Sequence, residues 1–457
     1  MRNIVPSLKK NVNKINNFNQ LIHHLIPATL MKKCGFKKNR GLSCIKMLSE
    51  LLMLIFENKS MFQKAGREKN MSGSFMTYYR FLESTKYHWG TLLLEVAVKV
   101  VVMFSTLTSH DRQVLAIDDS LYERPNGENV ELCSIQFDHV HHAYKRGFRF
   151  LTIGWADGNS FIPLMFRLVS SQKAKFDFEA FDKRTIAYQR RCDSVKPMSD
   201  SALEMLERVK TLGTQYVTCD SWFSAPAAIQ KMVGMGYDVV SVMKSNYLYT
   251  YNHGFYKAND LLDHLDRSAQ WCDLSQANNI NSDIQVLGSI KVFLKNTNIP
   301  VRLLICHLKE SKNPQNITVM ACTDISLSAV EILELYAKRW SIEEFFKCCK
   351  QYLGFCDKTS SVSFDFQVAA KTICLLRYIM LTFSKRLMED PKTYSEMFYL
   401  FCNSIKDLCV LNAVWKILLE FAFSIEDTVI SSAETLLNYF RNYIKTAFSS
   451  DWLVGCI

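Results

Sequence analysis

The chain has 457 residues, 48% of them hydrophobic and 22% charged, with 55 Lys or Arg against 44 Asp or Glu and a formal charge of +11. That composition excludes intrinsic disorder, collagen and small disulfide scaffolds, and the length gives room for roughly two to four globular units. The apolar stretch at 92–107, the best candidate for a membrane helix, is cut by Glu95 and Lys99, so no uncharged run reaches the roughly 18 residues a span needs.

The amino terminus is basic but lacks the apolar core and small-residue cleavage site of a secretory signal, which predicts a cytoplasmic protein. The 15 cysteines are scattered, with no Cys-x-x-Cys pair; packing thiols in a reduced compartment are expected. Residues 1–70 hold 14 basic and 3 acidic side chains, which is the whole of the net charge, while the other 387 residues carry 41 of each sign. A basic head on a neutral body points to a polyanion partner, because clustered Lys and Arg bind phosphates by releasing counterions. A solvated basic arm is the plain alternative.

Apolar residues at three- and four-residue spacing predict helices between Gly41 and Lys86, first in GLSCIKMLSELLMLIFENKSMFQ and then, after a Ser/Gly break, in SGSFMTYYRFLES. In a basic setting they suit a helix-turn-helix-like DNA reader. Residues 89–107 read as a buried helix. At Gln113 the pattern turns to strands: QVLAIDDS ends in two acids, and GFRFLTIGW and SFIPLMFRLVSS form a hairpin about the turn 156–159. The polar stretch KRTIAYQRR comes next, followed by a helix at 199–212 stopped by Gly213. QYVTCDSWFSAP is a strand with Asp220 at its end; the helix APAAIQKMVGMG and the strand YDVVSVMK follow. Strands alternating with helices predict an α/β core. Residues 245–324 are β-like, and from Asp365 onward the chain reads as helical.

The helix AVEILELYAKRWSIEEFFKCCKQYLGF carries Tyr336, Arg339, Glu343, Lys347 and Lys350. In one continuous helix they fall within an arc of about 80°, so one face bears an aromatic hydroxyl, an acid and three cations. A solvated surface helix gives the same stripe, and a second reading starts a new helix at Trp340 with Ser341 and Glu344 as a capping box. Asp119, Asp220 and Glu343, two acids at strand ends and a third on a later helix, are the candidate ligands of two Mg²⁺ ions, with Mn²⁺ as a possible substitute. Such a pair suits in-line phosphoryl displacement.

The run YAKRWSIEEFFKCCK (336–350) matches the Tyr-x2-Arg-x3-Glu-x6-Lys signature, and here the chain resembles bacterial insertion-sequence transposases with an Asp-Asp-Glu triad. The blocks AIDDS, GFRFLTIGWADGNSFIP and YVTCDSWFS are similar to the segments around their first two acids, and the resemblance runs from about 40 to 400. It implies a ribonuclease-H-like core with a β-rich insertion between the second Asp and the Glu, for which the 123 residues from Asp220 to Glu343 leave room. The implied organisation is a basic helical DNA-binding region at 1–107, the first part of the core at 108–244, the insertion at 245–324, the core helix at 325–360 and a helical, possibly dimerising region at 361–457. The resemblance also implies Asp119, Asp220 and Glu343 as metal ligands, with Tyr336, Arg339, Lys347 and Lys350 on DNA. Of the adjacent acids Asp119 is preferred over Asp118, because it precedes a small hydroxyl residue as in related Asp-Thr motifs.

The implied activity is metal-dependent cut-and-paste transposition: 3′-end cleavage and strand transfer on double-stranded DNA, by a homodimer holding two ends, without covalent intermediate or ATP. A domesticated DNA-binding derivative and a host nuclease on the same core are the alternatives. In the cluster Asp138-His139-Val140-His141-His142 only His139 and His141 would share a strand face, which is poor for zinc. Trp222 and Trp271 are read as packing residues, with stacking on a flipped base as the alternative.

Overall fold

Apolar residues recur with helical period before residue 107 and with strand alternation after it, and the computed structural model follows that division. It describes residues 18–107, 113–138, 141–171, 174, 176–268, 284–308, 317–357, 361–387 and 392–403. Helices α1 (Phe18–Leu25), α2 (Ala28–Lys33), α3 (Cys44–Met53), α4 (Phe75–Leu82) and α5 (Trp89–Ser105) come first, with a π-helical turn at Phe62–Arg67. Ser43 caps α3 by accepting from Lys46 N, as its position before the apolar run requires.

Eleven strands then form one mixed sheet. The early strands are β1 (Val114–Glu123), β2 (Ser134–Asp138), β3 (Ala143–Ala156), β4 (Phe161–Val169), β5 (Tyr216–Cys219) and β6 (Asp238–Met243). Pairing runs β2-β3-β1-β5-β6, with β4 also on β3; β1, β5 and β6 are mutually parallel, and β3 is antiparallel to β1. The β3–β4 turn places Gly158 at φ +92°. The β-like region contributes β7 (Leu248–Tyr251), β8 (Gly254–Lys257), β9 (Ile284–Leu294), β10 (Pro300–Leu308) and β11 (Ile317–Cys322). Through β11 against β6 these strands extend the same sheet. Helices α6 (Ile186–Ser194), α7 (Met198–Val209) and α8 (Pro226–Gly234) connect the strands, and Gly213, at φ +70°, ends the 3₁₀ turn that continues α7.

The long predicted helix is two, α9 (Ala329–Ala337) and α10 (Trp340–Tyr352), broken at Lys338–Arg339. The capping box belongs to Ser328 and Glu331 at the start of α9, while Ser341 Oγ donates to Lys338 O at 2.7 Å. The Ser341–Glu344 box and the single continuous stripe are therefore both corrected. KRTIAYQRR, read as a polar stretch, supplies α6, whose buried side is Ala187, Arg191 and Ser194. Ion pairing rather than apolar spacing buries that helix, so its periodicity was weak.

Helix α11 (Phe364–Leu387) is the hub against which α3, α4, α5, α10 and β4 pack. By length and composition it is the one helix among the described residues that could span a membrane, yet 94% of its apolar window is buried in the fold. Its Arg377 donates to Leu51 O, Leu52 O and Leu353 O at 2.6, 3.0 and 3.0 Å, satisfying carbonyls near the ends of α3 and α10. Its Asp365 accepts from Arg191 Nη1 at 2.8 Å and pairs with Arg190 Nη2 at 3.0 Å. Arg191 also pairs with Glu131 and lies 4.2 Å from the Phe181 ring centroid. The side chains of Arg191 and Asp365 are 1% and 2% exposed. Removing one partner of a pair this deep strands the other charge, at about 3–5 kcal/mol. Asp365→Ala should therefore lower the urea unfolding free energy by roughly that amount; a loss under about 1 kcal/mol would show that the network is not a structural support.

Candidate active site

The last residues paired between the parallel strands β1 and β5 are Ile117 and Cys219. One step beyond them stand Asp118 and Asp220, level with each other at the carboxyl ends of neighbouring strands and on the same face. Asp119 faces the other way. Its carboxylate forms an ion pair with Arg149 of β3, with the Asp119 side chain 6% exposed. Alternation along β1 therefore corrects the preference for Asp119: the acid that meets Asp220 is Asp118. The signal was readable, since VLAI before Asp118 and YVTC before Asp220 are matching four-residue runs, both buried.

Glu343 enters from the first turn of α10 and Arg339 from the break just before it. Arg339 Nη1 donates to Asp118 Oδ2 at 2.9 Å and its Nη2 to Glu343 Oε1 at 2.6 Å. The guanidinium also lies 5.5 Å from the ring centroid of Tyr336, within cation–π range. One fork thus ties the sheet end to the helix. Asp220 Oδ1 accepts from Trp222 N at 2.9 Å, and the Trp222 ring, 50% exposed, lies under Lys244 Nζ at 5.3 Å. Lys347 and Lys350 are exposed on α10; neither is part of the Arg339 bridge.

Burial pushes the Asp118 carboxyl up to about 7; Arg339 opposes the shift, and the charges of Asp220 and Asp119 add to it. Burial likewise lifts the Tyr336 hydroxyl to about 12, again against Arg339. The three acids offer only carboxylate oxygens, the donor chemistry that suits Mg²⁺ or Mn²⁺. Among the described residues, however, no three His, Cys, Asp or Glu side chains form a group that could hold a metal ion. The Arg339 fork between Asp118 and Glu343 accounts for this, since it already supplies them with a cation. In the histidine cluster His139 lies outside the described residues, and His141 Nδ1 is 2.7 Å from Asp138 Oδ2. Trp271 also lies outside them.

The Asp118 shift has a sign. Between about pH 4 and 7 the folded chain holds a proton there that the unfolded chain has released, so this residue makes stability fall as pH rises through that window. Asp118→Asn should flatten the slope and raise stability at pH 8 relative to the parent. Urea midpoints from pH 4 to 8 check it, and equal slopes in the two proteins would refute the burial argument.

Two family models match the chain, one described as DDE superfamily endonuclease over residues 35–250 and one as transposase DDE domain over residues 187–380. Asp118 lies within the first, Glu343 within the second and Asp220 within both. No curated protein matches. The mixed sheet with helical flanks is compatible with a DDE nuclease core, and the two matches support a DDE-type transposase, a nuclease-type enzyme whose family acts on DNA.

Proposed function

We propose that the chain is a transposase that cuts and rejoins double-stranded DNA at Asp118, Asp220 and Glu343, moving an insertion sequence by cut-and-paste. The observation that carries this reading is the convergence of the three acids: two level at the ends of parallel strands, the third joined to the first through Arg339. The order β4-β3-β1-β5-β6, with β3 antiparallel to β1 and the last three parallel, supports the ribonuclease-H-like reading of the core. The specific signature group rests on Tyr336, Arg339, Glu343 and Lys350 at their spacing.

Asp118, Asp220 and Glu343 would hold the divalent ions, with Asp118 in place of Asp119. Ions held there supply an activated attacking oxygen and a stabilised leaving oxygen. Arg339 must then give up at least part of its fork, and its freed N–H groups face the site, where they can hold a phosphate oxygen. Lys347 and Lys350, exposed on the same helix, would grip flanking phosphates, while the basic region 1–107 reads the ends of the element. A homodimer holding two ends completes the scheme, with residues 361–457 as the proposed contact.

Two experiments test this. Asp118→Ala, Asp220→Ala and Glu343→Ala should each lower Mg²⁺-dependent cleavage of an element-end duplex by a hundredfold or more while end binding stays near normal, and Asp119→Asn should cleave at close to the parent rate. Active Asp118→Ala with inactive Asp119→Asn would reverse the assignment. On pre-assembled end complexes, Arg339→Ala and Lys350→Ala should slow single-turnover cleavage by about a hundredfold, the cost of misplacing a reacting phosphate by about 1 Å. Normal rates once bound would remove both cations from the site.

A further inference from the structure

Away from these acids, a cavity of about 200 Å³ opens between the start of α5, β4, α6 and the start of α11. None of Asp118, Asp220, Arg339 or Glu343 lines it. Much of the wall is apolar, formed by Leu94, Met165, Leu168, Ile186, Phe364 and Val368. Set in that wall are three N–H donors, Trp89 Nε1, Arg167 Nη1 and Arg190 Nη1, each buried and each without a hydrogen-bond partner among the described residues. A buried donor left unsatisfied costs about 1–3 kcal/mol, and three around one cavity require an explanation.

The two guanidiniums are held by their other halves. Arg167 Nη2 donates to Glu204 Oε2 at 2.8 Å, and Arg190 Nη2 pairs with Asp365 Oδ1 at 3.0 Å. Their side chains are only 9% and 13% exposed, so the free corners are fixed in direction before anything binds. Charge on the wall is one-sided. Arg167, Arg190 and Arg208 line the cavity against Asp193 as the sole acid, and Asp193 is itself engaged by Lys196 at 2.9 Å. His88, also on the wall, has its pKa lowered by burial and by Arg190, which agrees with a positive potential inside.

We propose that this cavity is a binding site for a compact organic oxyanion, a carboxylate or phosphate monoester carried on an apolar body of about one ring. The donors are all N–H groups and require an acceptor-rich partner, and the excess of arginine requires a negative one. The apolar wall requires a body that gains by leaving water. At about 200 Å³ the space lies below the roughly 300–1,000 Å³ of drug-sized sites, which excludes nucleotides and a DNA backbone. Such a ligand would bridge α6 and β4 to the base of the hub helix.

The test is calorimetric titration of the full chain, at fixed ionic strength, with benzoate, phenyl phosphate, benzyl alcohol and inorganic phosphate. Saturable one-to-one binding of benzoate or phenyl phosphate is expected, at least tenfold tighter than either benzyl alcohol or inorganic phosphate; whichever acid wins identifies the head group. Arg190→Gln should weaken it at least tenfold. Because Arg190 also holds Asp365, Gly90→Phe provides a second arm. Gly90 lines the cavity, and a Cβ there would meet no atom within 4 Å, so the ring can fill the space without touching a charge. It should abolish binding while leaving the far-ultraviolet circular dichroism and end-DNA affinity at parent values. No saturable binding by any probe, equal binding of benzyl alcohol or inorganic phosphate, or undiminished binding by Gly90→Phe would each overturn the proposal.

Discussion

The candidate site depends on one guanidinium. Arg339 stands at a break between two helices and reaches a strand-end carboxylate with one nitrogen and a helix-borne carboxylate with another. Without a cation between them, Asp118 and Glu343 would repel each other across the junction of sheet and helix. A partly buried charge pair of this kind is held by geometry as much as by attraction, since each carboxylate must offer an oxygen along the fork. The break at Lys338–Arg339 supplies that geometry: a continuous helix would carry the guanidinium on a different heading from the one that meets Asp118.

The same economy of charge recurs in the scaffold. Helix α11 would be an ordinary apolar core helix but for Asp365, Lys371 and Arg377, all buried. Asp365 holds the arginine pair of α6, and Arg377 holds the open carbonyls of α3 and α10. Buried charge adds little net stability compared with apolar packing, but it punishes misplacement, because an unpartnered charge in the interior is far more costly than a lost apolar contact. These links set how the amino-terminal helices, the sheet and α10 sit around one hub. The basic amino-terminal region is accordingly packed onto the core, with α3, α4 and α5 all on α11.

Where apolar residues set the periodicity, elements were legible. The buried helix at Trp89–Ser105, the β3–β4 hairpin, the helix ended at Gly213 and the strand leading to Asp220 all emerged from spacing and turn chemistry. Elements whose burial rests on charge were not. Arg191 fills an interior position that a hydrophobicity pattern assigns to solvent, so α6 went unread, and the break before Trp340 lies within a run of good helix formers.

Local order along the chain thus determined which residue types lie at strand ends and on the late helix, because period-2 and period-3.6 burial are properties of neighbours in sequence. Which of two adjacent aspartates turns toward the others was decided only by tertiary structure. Side chains at successive strand positions face opposite ways, and the choice between those faces was made by distant partners: Arg149 drew Asp119 to one side, and Arg339 held Asp118 on the other. No spacing rule reaches across the 221 residues that separate Asp118 from Arg339. Packing alone brought them within a hydrogen bond.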